Sequence, residues 1–449
     1  MITRTRCGGV GLAALLALPA TLAFGGDTFN SLVKTGDAVP DAPAGTSFSS
    51  VNLVGVDSAA GMAFVGTFSL NGSARSGLYN YHNGTVSPIA SISTVGPSGE
   101  QLTSYIGGGD YLSGGLIVFA SNTSSGKTLY RYTPGSGLST LVRQGDVLPG
   151  SPAGAGVTNF FNRGISGDGL DFAFRAARSD SSNGLYHSVA GFGMQVADDK
   201  TRSGVAEMGN FIDFPELNYR DGSLAFIGTG QDPDNLNAPP EPAGVFVMRP
   251  GNPFEIIASR NMVIPNAHDD GERFTEFERP RILPDGRVGF AGGFIEEASG
   301  STDHHMGVWI RNPDLTWKIY IDSDMNLTGL HAPIEEFNQY SVETSTNFFG
   351  VNDENGGSYI YYESDQGVFT DLIDTYQQLD GKSLASLRMV SDTAIDGAAG
   401  GELFFRANFT DGTSGIYSVT VPATVPEPAM VSVLAMVTGA TLIRRRRVV

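Results

Sequence analysis

The carboxylates best spaced for a metal site lie in the segment DSDMNLT, residues 322–328. Asp322, Asp324 and Asn326 occupy alternate positions, as the first ligands of an EF-hand-type calcium loop do. Such a loop also needs a glycine at its sixth position and a glutamate at its twelfth, where this chain has Leu327 and a proline. A calcium site is one interpretation, and a solvated loop at the end of a strand is the other.

Three histidines provide a second candidate metal site. His268, His304 and His305 fall in polar segments of one stretch of chain. Adjacent histidines point to opposite sides of an extended segment, so His304 and His305 alone make a poor ligand pair. The three side chains would form a site only if the two segments meet in space.

Nucleophilic catalysis finds no support in the sequence. The only cysteine is Cys7, and there is no Gly-x-Ser-x-Gly elbow, P-loop, dinucleotide fingerprint or sialidase-type Asp-box. We therefore assign no catalytic residue and expect no cofactor, apart from the calcium considered above.

The elements that must position these residues are β-strands. Glycine occupies 59 of 449 positions, and the apolar runs are short, rich in aromatic residues and without a 3.6-residue period. One recurring element is a pair of apolar runs around an Asp-Gly-like turn. Its seven copies begin at residues 54, 107, 164, 217, 282, 349 and 393.

Two further elements follow each of these pairs. The second is a small residue, an apolar residue and an aromatic residue, and its seven copies begin at residues 77, 128, 184, 244, 307, 367 and 415. The third is an apolar run after a polar turn, and its copies lie at 87–92, 139–146, 194–199, 254–259, 317–322 and 371–376. Only six copies of the third element occur after the second, and the missing copy is NSLVKTGD at residues 30–37.

This arrangement predicts an all-β seven-bladed β-propeller with four-stranded antiparallel blades. An N-terminal strand would complete the last blade and close the ring, which accounts for the displaced element at 30–37. A parallel β-helix, a string of small β domains, and six or eight blades are the alternatives. A β-helix usually has shorter repeats, and separate domains would not place one strand at the wrong end.

Two segments 109 residues apart share one spacing of Gly-Asp, two prolines and Ala-Gly. They read TGDAVPDAPAG at 35–45 and QGDVLPGSPAG at 144–154. Prolines and glycines set the course of a turn, so we interpret both as crossings between blades. Asp37 and Asp146 are then turn caps rather than catalysts.

The N-terminal 23 residues have the pattern of a secretory signal peptide. Arg4 and Arg6 precede an apolar region that runs from Val10 to Ala23, and small residues precede a cleavage point after Ala23. We therefore divide the chain into a signal peptide at 1–23, a propeller at 27–422 and a C-terminal signal at 425–449.

The C-terminal signal consists of three parts in fixed order. A Pro-Glu-Pro motif precedes about 15 apolar residues, which are too few to cross a ~30 Å bilayer core comfortably, and four arginines follow them. The motif residues are Pro426, Glu427 and Pro428, and the arginines are Arg444, Arg445, Arg446 and Arg447. The segment resembles the PEP-CTERM sorting signal of bacteria. The resemblance implies processing by an exosortase-type membrane enzyme and delivery to the cell envelope, surface or extracellular matrix. An ordinary C-terminal membrane anchor is the alternative.

The repeat region resembles the choice-of-anchor tandem-repeat proteins of bacteria, which implies a location but no activity. The formal net charge of −19 argues against nucleic acid as a partner. We expect a non-catalytic binding or structural module for an exopolysaccharide or another envelope protein. An extracellular hydrolase or lyase acting on polysaccharide with an axial carboxylate site is the alternative. Several Asp, Glu, His or Arg side chains of different blades within about 5 Å in one axial pocket would favour it.

Overall fold

The computed structural model describes residues 29–421 except for twelve short gaps. These gaps are 58–60, 113–114, 169–170, 190–191, 206–207, 232–239, 261, 266–271, 299–300, 342–346, 364–366 and 398–399. Within the described ranges the chain forms thirty β-strands and no helix. No helix of these ranges could therefore span a membrane. The apolar part of the predicted C-terminal signal, residues 429–443, lies outside them.

The strands form seven antiparallel sheets, named blades 1 to 7 in chain order. Strand β1 is Asn30–Lys34. Blade 1 contains β2 (Phe48–Asp57), β3 (Gly61–Leu70), β4 (Ser73–His82) and β5 (Thr85–Ala90). Blade 2 contains β6 (Leu102–Leu112), β7 (Leu116–Thr123), β8 (Gly126–Thr133) and β9 (Gly137–Arg143). Blade 3 contains β10 (Val157–Asp168), β11 (Asp171–Arg178), β12 (Asn183–Val189) and β13 (Phe192–Asp198).

In blade 4 the first strand is divided into two pieces. Blade 4 contains β14 (Phe211–Asp213), β15 (Leu217–Arg220), β16 (Ser223–Gly230), β17 (Glu241–Met248) and β18 (Phe254–Ser259). Blade 5 contains β19 (Glu276–Ile282), β20 (Val288–Ala298), β21 (Ser301–Arg311) and β22 (Trp317–Asp322). Blade 6 contains β23 (Ile334–Ser341), β24 (Asn347–Asp353), β25 (Ser358–Glu363) and β26 (Phe369–Asp374). Blade 7 contains β27 (Gln378–Leu379), β28 (Lys382–Gly397), β29 (Gly400–Phe409) and β30 (Ser414–Thr420).

Strand β1 is the outer strand of blade 7. The strand order there is β1-β30-β29-β28-β27, and β1 pairs antiparallel with β30 from Asn30 beside Ser418 to Lys34 beside Gly415. The prediction of a seven-bladed propeller closed by an N-terminal strand is confirmed. The displaced third element at 30–37 is thus the outer strand of the last blade and its following turn.

One aromatic pair recurs in every blade, between the second and third strands. The pairs are Phe64 with Tyr79, Phe119 with Tyr130, Phe174 with Tyr186, Phe226 with Phe246, Phe290 with Trp309, Phe349 with Tyr361, and Phe405 with Tyr417. In six of these pairs the ring centroids lie 5.3–5.9 Å apart. Buried aromatic pairs of this kind contribute area and specific geometry, so they fix the register of each blade.

The sequence interpretation assigned two of the repeated elements of blade 6 to the wrong strands. Residues 349–363 form the second hairpin of the blade, and Gly367 precedes the outer strand β26 instead of lying in the third strand. In blades 1, 3 and 7 the glycine of the third strand is needed because the aromatic ring two residues later covers it. A Cβ at Gly184, for example, would lie 2.6 Å from the Tyr186 hydroxyl. In blade 6 that position is Tyr359, whose ring stacks on Tyr361 instead.

The crossings between blades are held by polar turns. The backbone N–H groups of Lys34 and Arg143 donate to the carboxylates of Asp37 and Asp146, at 2.8 and 2.7 Å. The segments at 35–45 and 144–154 therefore share this hydrogen bond as well as their sequence pattern. The assignment of both aspartates as turn caps is confirmed. The third-strand tyrosines anchor several crossings in addition; the Tyr130 hydroxyl, for example, donates to Glu100 at 2.7 Å.

Candidate functional site

The first strands of the blades lie innermost, because those of neighbouring blades pack on one another around most of the ring. In blade 5 this strand reads EFERPRI and its ladder is interrupted between Glu278 and Arg281, which leaves Arg279 and Pro280 in a bulge. Arg279 has a left-handed backbone, with φ of +51°. Bulges of this kind redirect a side chain, and they often occur beside functional sites.

Arg279 joins three blades at this bulge. Its backbone N–H donates to Glu216 of blade 4 at 2.6 Å. Its guanidinium donates to the Phe337 carbonyl of blade 6 and lies 3.4 Å from the carboxylates of both Glu278 and Glu336. We call Glu216, Glu278, Arg279 and Glu336 the axial Glu–Arg cluster. It brings acidic and basic groups of three blades together, which the enzyme alternative requires in addition to an axial pocket.

The carboxylates of the cluster differ in their partners. Glu336 is held through both oxygens, because Arg279 contacts one and the Asn352 side-chain amide donates to the other at 3.1 Å. The side chains of Glu278 and Glu336 are similarly exposed, at 41% and 45%. Burial raises the pKa of Glu278, Arg279 lowers it, and the neighbouring glutamates raise it further. A raised pKa favours the protonated carboxyl, which is the form that a general acid needs.

The segment considered for calcium is the crossing from blade 5 to blade 6. The Asp322 carboxylate accepts the Asp324 backbone N–H at 3.2 Å, and Asn326 is exposed. Leu327, at the position where a calcium loop needs glycine, is buried in the core between blades 5 and 6. Among the described residues no group of three or more acidic, histidine or cysteine side chains is arranged to hold a metal ion.

Asp322 has counterparts in other blades. The carboxylates of Asp198 and Asp374 also end an outer strand and accept the backbone N–H two residues later, at 3.0 and 2.6 Å. Asp322, the first carboxylate of the calcium interpretation, is therefore also a turn cap that recurs in other blades. Calcium binding at Asp322, Asp324 and Asn326 stays a prediction.

Of the three histidines, His268 and the side chain of His304 lie outside the described residues. His305 is buried, and its ring joins two crossings. Its Nδ1 lies 2.8 Å from Glu272, in the crossing into blade 5, and its Nε2 lies 3.4 Å from Asp324, in the crossing out of it. The structure thus brings His305 of one candidate metal site next to Asp324 of the other, and it adds Glu272, which the sequence did not single out.

The residues assigned to sorting and cleavage also lie outside the described ranges. They are Pro426, Glu427, Pro428, Arg444, Arg445, Arg446 and Arg447. Their role stays a prediction from the sequence.

The fold and the cluster define a seven-bladed β-propeller with a charged inner rim. The chain belongs to the family of unknown function DUF7453, whose model matches residues 20–432. None of the curated proteins compared with the chain matches it.

Several solved structures are similar to the chain at low identity. The β-propeller domain of the Trilobed protease from Pyrococcus furiosus is 9% identical, with a TM-score of 0.46 over 84% of this chain and 100% of that one. Sqt1 of Saccharomyces cerevisiae is 11% identical, with a TM-score of 0.40 over 83% and 97%. Extracellular domains 1–2 of Drosophila Semaphorin 1a are 11% identical, with a TM-score of 0.39 over 89% and 90%.

Proposed function

We propose that the chain is exported to the bacterial envelope or extracellular matrix and acts there as a non-catalytic binding or structural module. Its partner would be an extracellular glycan or another envelope protein. The signal peptide pattern at 1–23 and the PEP-CTERM resemblance at 425–449 support the location. A propeller suits this role, because its blades form a rigid support for loops that bind.

The observation that carries this proposal is the position of the start of β1 and the end of β30, the first and last strands of the propeller. Asn30, where β1 begins, pairs with Ser418, close to the end of β30 at Thr420. Both ends therefore leave blade 7 on one face of the ring. The crossings between blades start from the opposite end of the outer strands, as the crossing after Lys34 does. If the segment after β30 is attached to the envelope, the crossings between blades face away from the envelope.

The sorting part of the proposal is tested in the native bacterium with an epitope tag placed after Val449. Replacing Pro426, Glu427 and Pro428 by alanine should retain the tag on the protein in the membrane fraction, whereas the wild type should lose it. Replacing Thr424 by alanine is the control. Equal loss of the tag from all three proteins would contradict processing at this motif.

Binding is tested on a glycan array with residues 24–424, with and without calcium. We expect retention of at least one class of extracellular glycan. Failure to bind glycans, together with failure to capture an envelope protein in crosslinking on cells, would contradict the binding role. A calcium-dependent signal that Asp324→Ala abolishes would support the calcium interpretation.

The axial Glu–Arg cluster is the specific observation that favours the second candidate, a polysaccharide hydrolase or lyase. In that case Glu278 is the general acid, and Glu278→Gln should lower the rate of chain cleavage by about 100-fold or more. Glu335→Gln, on an exposed side chain in blade 6, is the matched control and should keep the wild-type rate. Release of reducing or unsaturated ends from extracellular polysaccharides is the measurement. If the wild-type protein shows no cleavage activity, the hydrolase or lyase function is contradicted and the non-catalytic function remains.

A further inference from the structure

A second polar site lies between blades 3 and 4, away from the axial Glu–Arg cluster. It is a cleft of about 560 Å³, within the size range of small-molecule sites in proteins. Its lining residues are Ser181, Ser182, Asn183, Asp199, Gly209, Asn210, Phe211, Ile212 and Gln231. We call this the blade 3–4 cleft. It lies on the face of the crossings, because Asp199 and Asn210 belong to the crossing between these blades.

The wall in blade 3 is held by the buried side chain of Arg178. Its guanidinium donates to the Ser182 hydroxyl at 2.6 Å, to the Tyr186 hydroxyl at 3.1 Å and to the Gln195 side-chain oxygen at 3.2 Å. It also lies 3.4 Å from Asp198 and 3.7 Å from Asp199. These contacts engage the whole guanidinium, so it positions the wall and is not available to a ligand.

The wall in blade 4 is tied to the first. The Asn183 side-chain amide donates to the Ile212 carbonyl at 3.3 Å, and the Gly209 backbone N–H donates to the Gln231 carbonyl at 3.3 Å. The first bond joins blade 3 to blade 4, and the second joins the crossing to blade 4. A cleft formed in this way is present before a ligand arrives, which reduces the entropic cost of binding.

The polar groups at the mouth are neutral or anionic. Ser181 and Asn210 are exposed. Oδ1 of Asp199 is buried and receives no hydrogen bond from the described residues, so the exposed part of this side chain is its other oxygen and its methylene group. None of the lining residues is basic. Carboxylate, amide and hydroxyl groups suit a ligand with many hydroxyl groups, and the lack of a cation disfavours phosphates and uronates.

We propose that the blade 3–4 cleft binds one or two residues of a neutral saccharide. This inference rests on the proposed binding function and gives it a place and a ligand class. Asp199 and Asn210 bond to sugar hydroxyls, and the partly exposed Ile212 packs against the ring carbons, above the buried Phe211. The charge of the cleft disfavours an acidic polysaccharide.

The test is titration calorimetry of residues 24–424 with maltotriose, cellotriose and N-acetylchitotriose, and with trigalacturonate as the anionic probe. We expect at least one neutral trisaccharide to bind and trigalacturonate not to bind. Asn210→Trp, which fills the mouth, should abolish binding, and Asp199→Ala should weaken it at least tenfold. Glu335→Gln, on an exposed side chain of blade 6, should change nothing, and thermal melts verify that each variant is folded.

The outcomes separate the cleft from the function. If a neutral saccharide binds and folded Asn210→Trp binds it equally well, the cleft is the wrong place and the binding function stands. If trigalacturonate binds instead and the cleft variants keep that binding, the ligand class and the cleft are both wrong. If no probe binds, the saccharide proposal for the cleft is overturned, and capture of an envelope protein decides the general function.

Discussion

Removal of residues 27–37 should abolish cooperative folding of the propeller. This deletion takes away β1, the outer strand of blade 7, with its ladder to β30 and the bond from the Thr35 backbone N–H to the Ser414 carbonyl at 2.8 Å. It also removes Val33, which is fully buried in the core at the junction of blades 7 and 1. A propeller blade stacks on two neighbours, so loss of this junction opens the ring. Circular dichroism melts of residues 24–424 and 38–424 provide the measurement.

A milder variant and a complementation experiment keep this prediction decisive if the truncated chain aggregates. Val33→Ala should lower the free energy of unfolding by about 2 kcal/mol, because it removes buried methyl groups at the junction. Lys34→Ala, on an exposed side chain of the same strand, should have little effect. A synthetic peptide of residues 28–37 should restore the melt of the truncated chain by adding the missing strand. A truncated chain that melts like the full one would contradict closure by β1.

The ring could be predicted from the sequence because every blade repeats the same physical needs. Tyr79, Tyr130 and Tyr417 each need a partner ring one strand away and a small residue two positions earlier. These needs produce a repeated sequence pattern. Blade 6 breaks the pattern at Tyr359, where a second ring replaces the small residue. Gly367, which is needed for a turn with φ of +71°, then provided a false match.

The axial Glu–Arg cluster was not predictable in this way. Glu216, Arg279 and Glu336 are separated by about 60 residues at each step and meet only because the first strands of three blades converge at the rim. The one local signal was EFERPRI, which places four charged residues and a proline in a strand that should be apolar. Such a strand indicates a bulge or a site, but it does not identify the partners.

The blade 3–4 cleft was hidden for a different reason. Asn183 and Asn210 are ordinary polar residues at turns, and nothing in their spacing indicates a cavity. The cleft depends on how far apart two blades hold their crossings, and that distance is set by packing. The blade 3 wall depends on the buried Arg178, whose position within an apolar strand was the only sequence signal of the network.

Replacement of Asp371 by asparagine should stabilise the protein at pH 8 and leave its stability unchanged at pH 4. Asp371 lies on β26 beside Asp374. Burial, together with the hydrogen bond and charge of Asp374, raises the pKa of Asp371 to about 8. The unfolded value is about 3.9. Between these values the folded state keeps a proton that the unfolded state releases, so the stability of the wild type falls as the pH rises from about 4 to about 8.

The size and sign of this effect can be checked by urea unfolding of both proteins from pH 4 to pH 8. One pKa unit corresponds to about 1.4 kcal/mol, and partial solvation of the pair reduces the total. We therefore expect Asp371→Asn to raise the free energy of unfolding at pH 8 by about 2 kcal/mol and to flatten its pH dependence.

Asp374→Ala provides a control of opposite sign within the same pair. Asp374 accepts the Tyr376 backbone N–H at 2.6 Å and the Gln377 side-chain amide at 2.9 Å. Its removal leaves both donors without this partner, and it should destabilise the protein by about 1–3 kcal/mol. If Asp371→Asn instead lost stability at pH 8, or kept the pH slope of the wild type, the carboxyl pair would not share a proton, and Asp371 would be an ionised residue held by solvent.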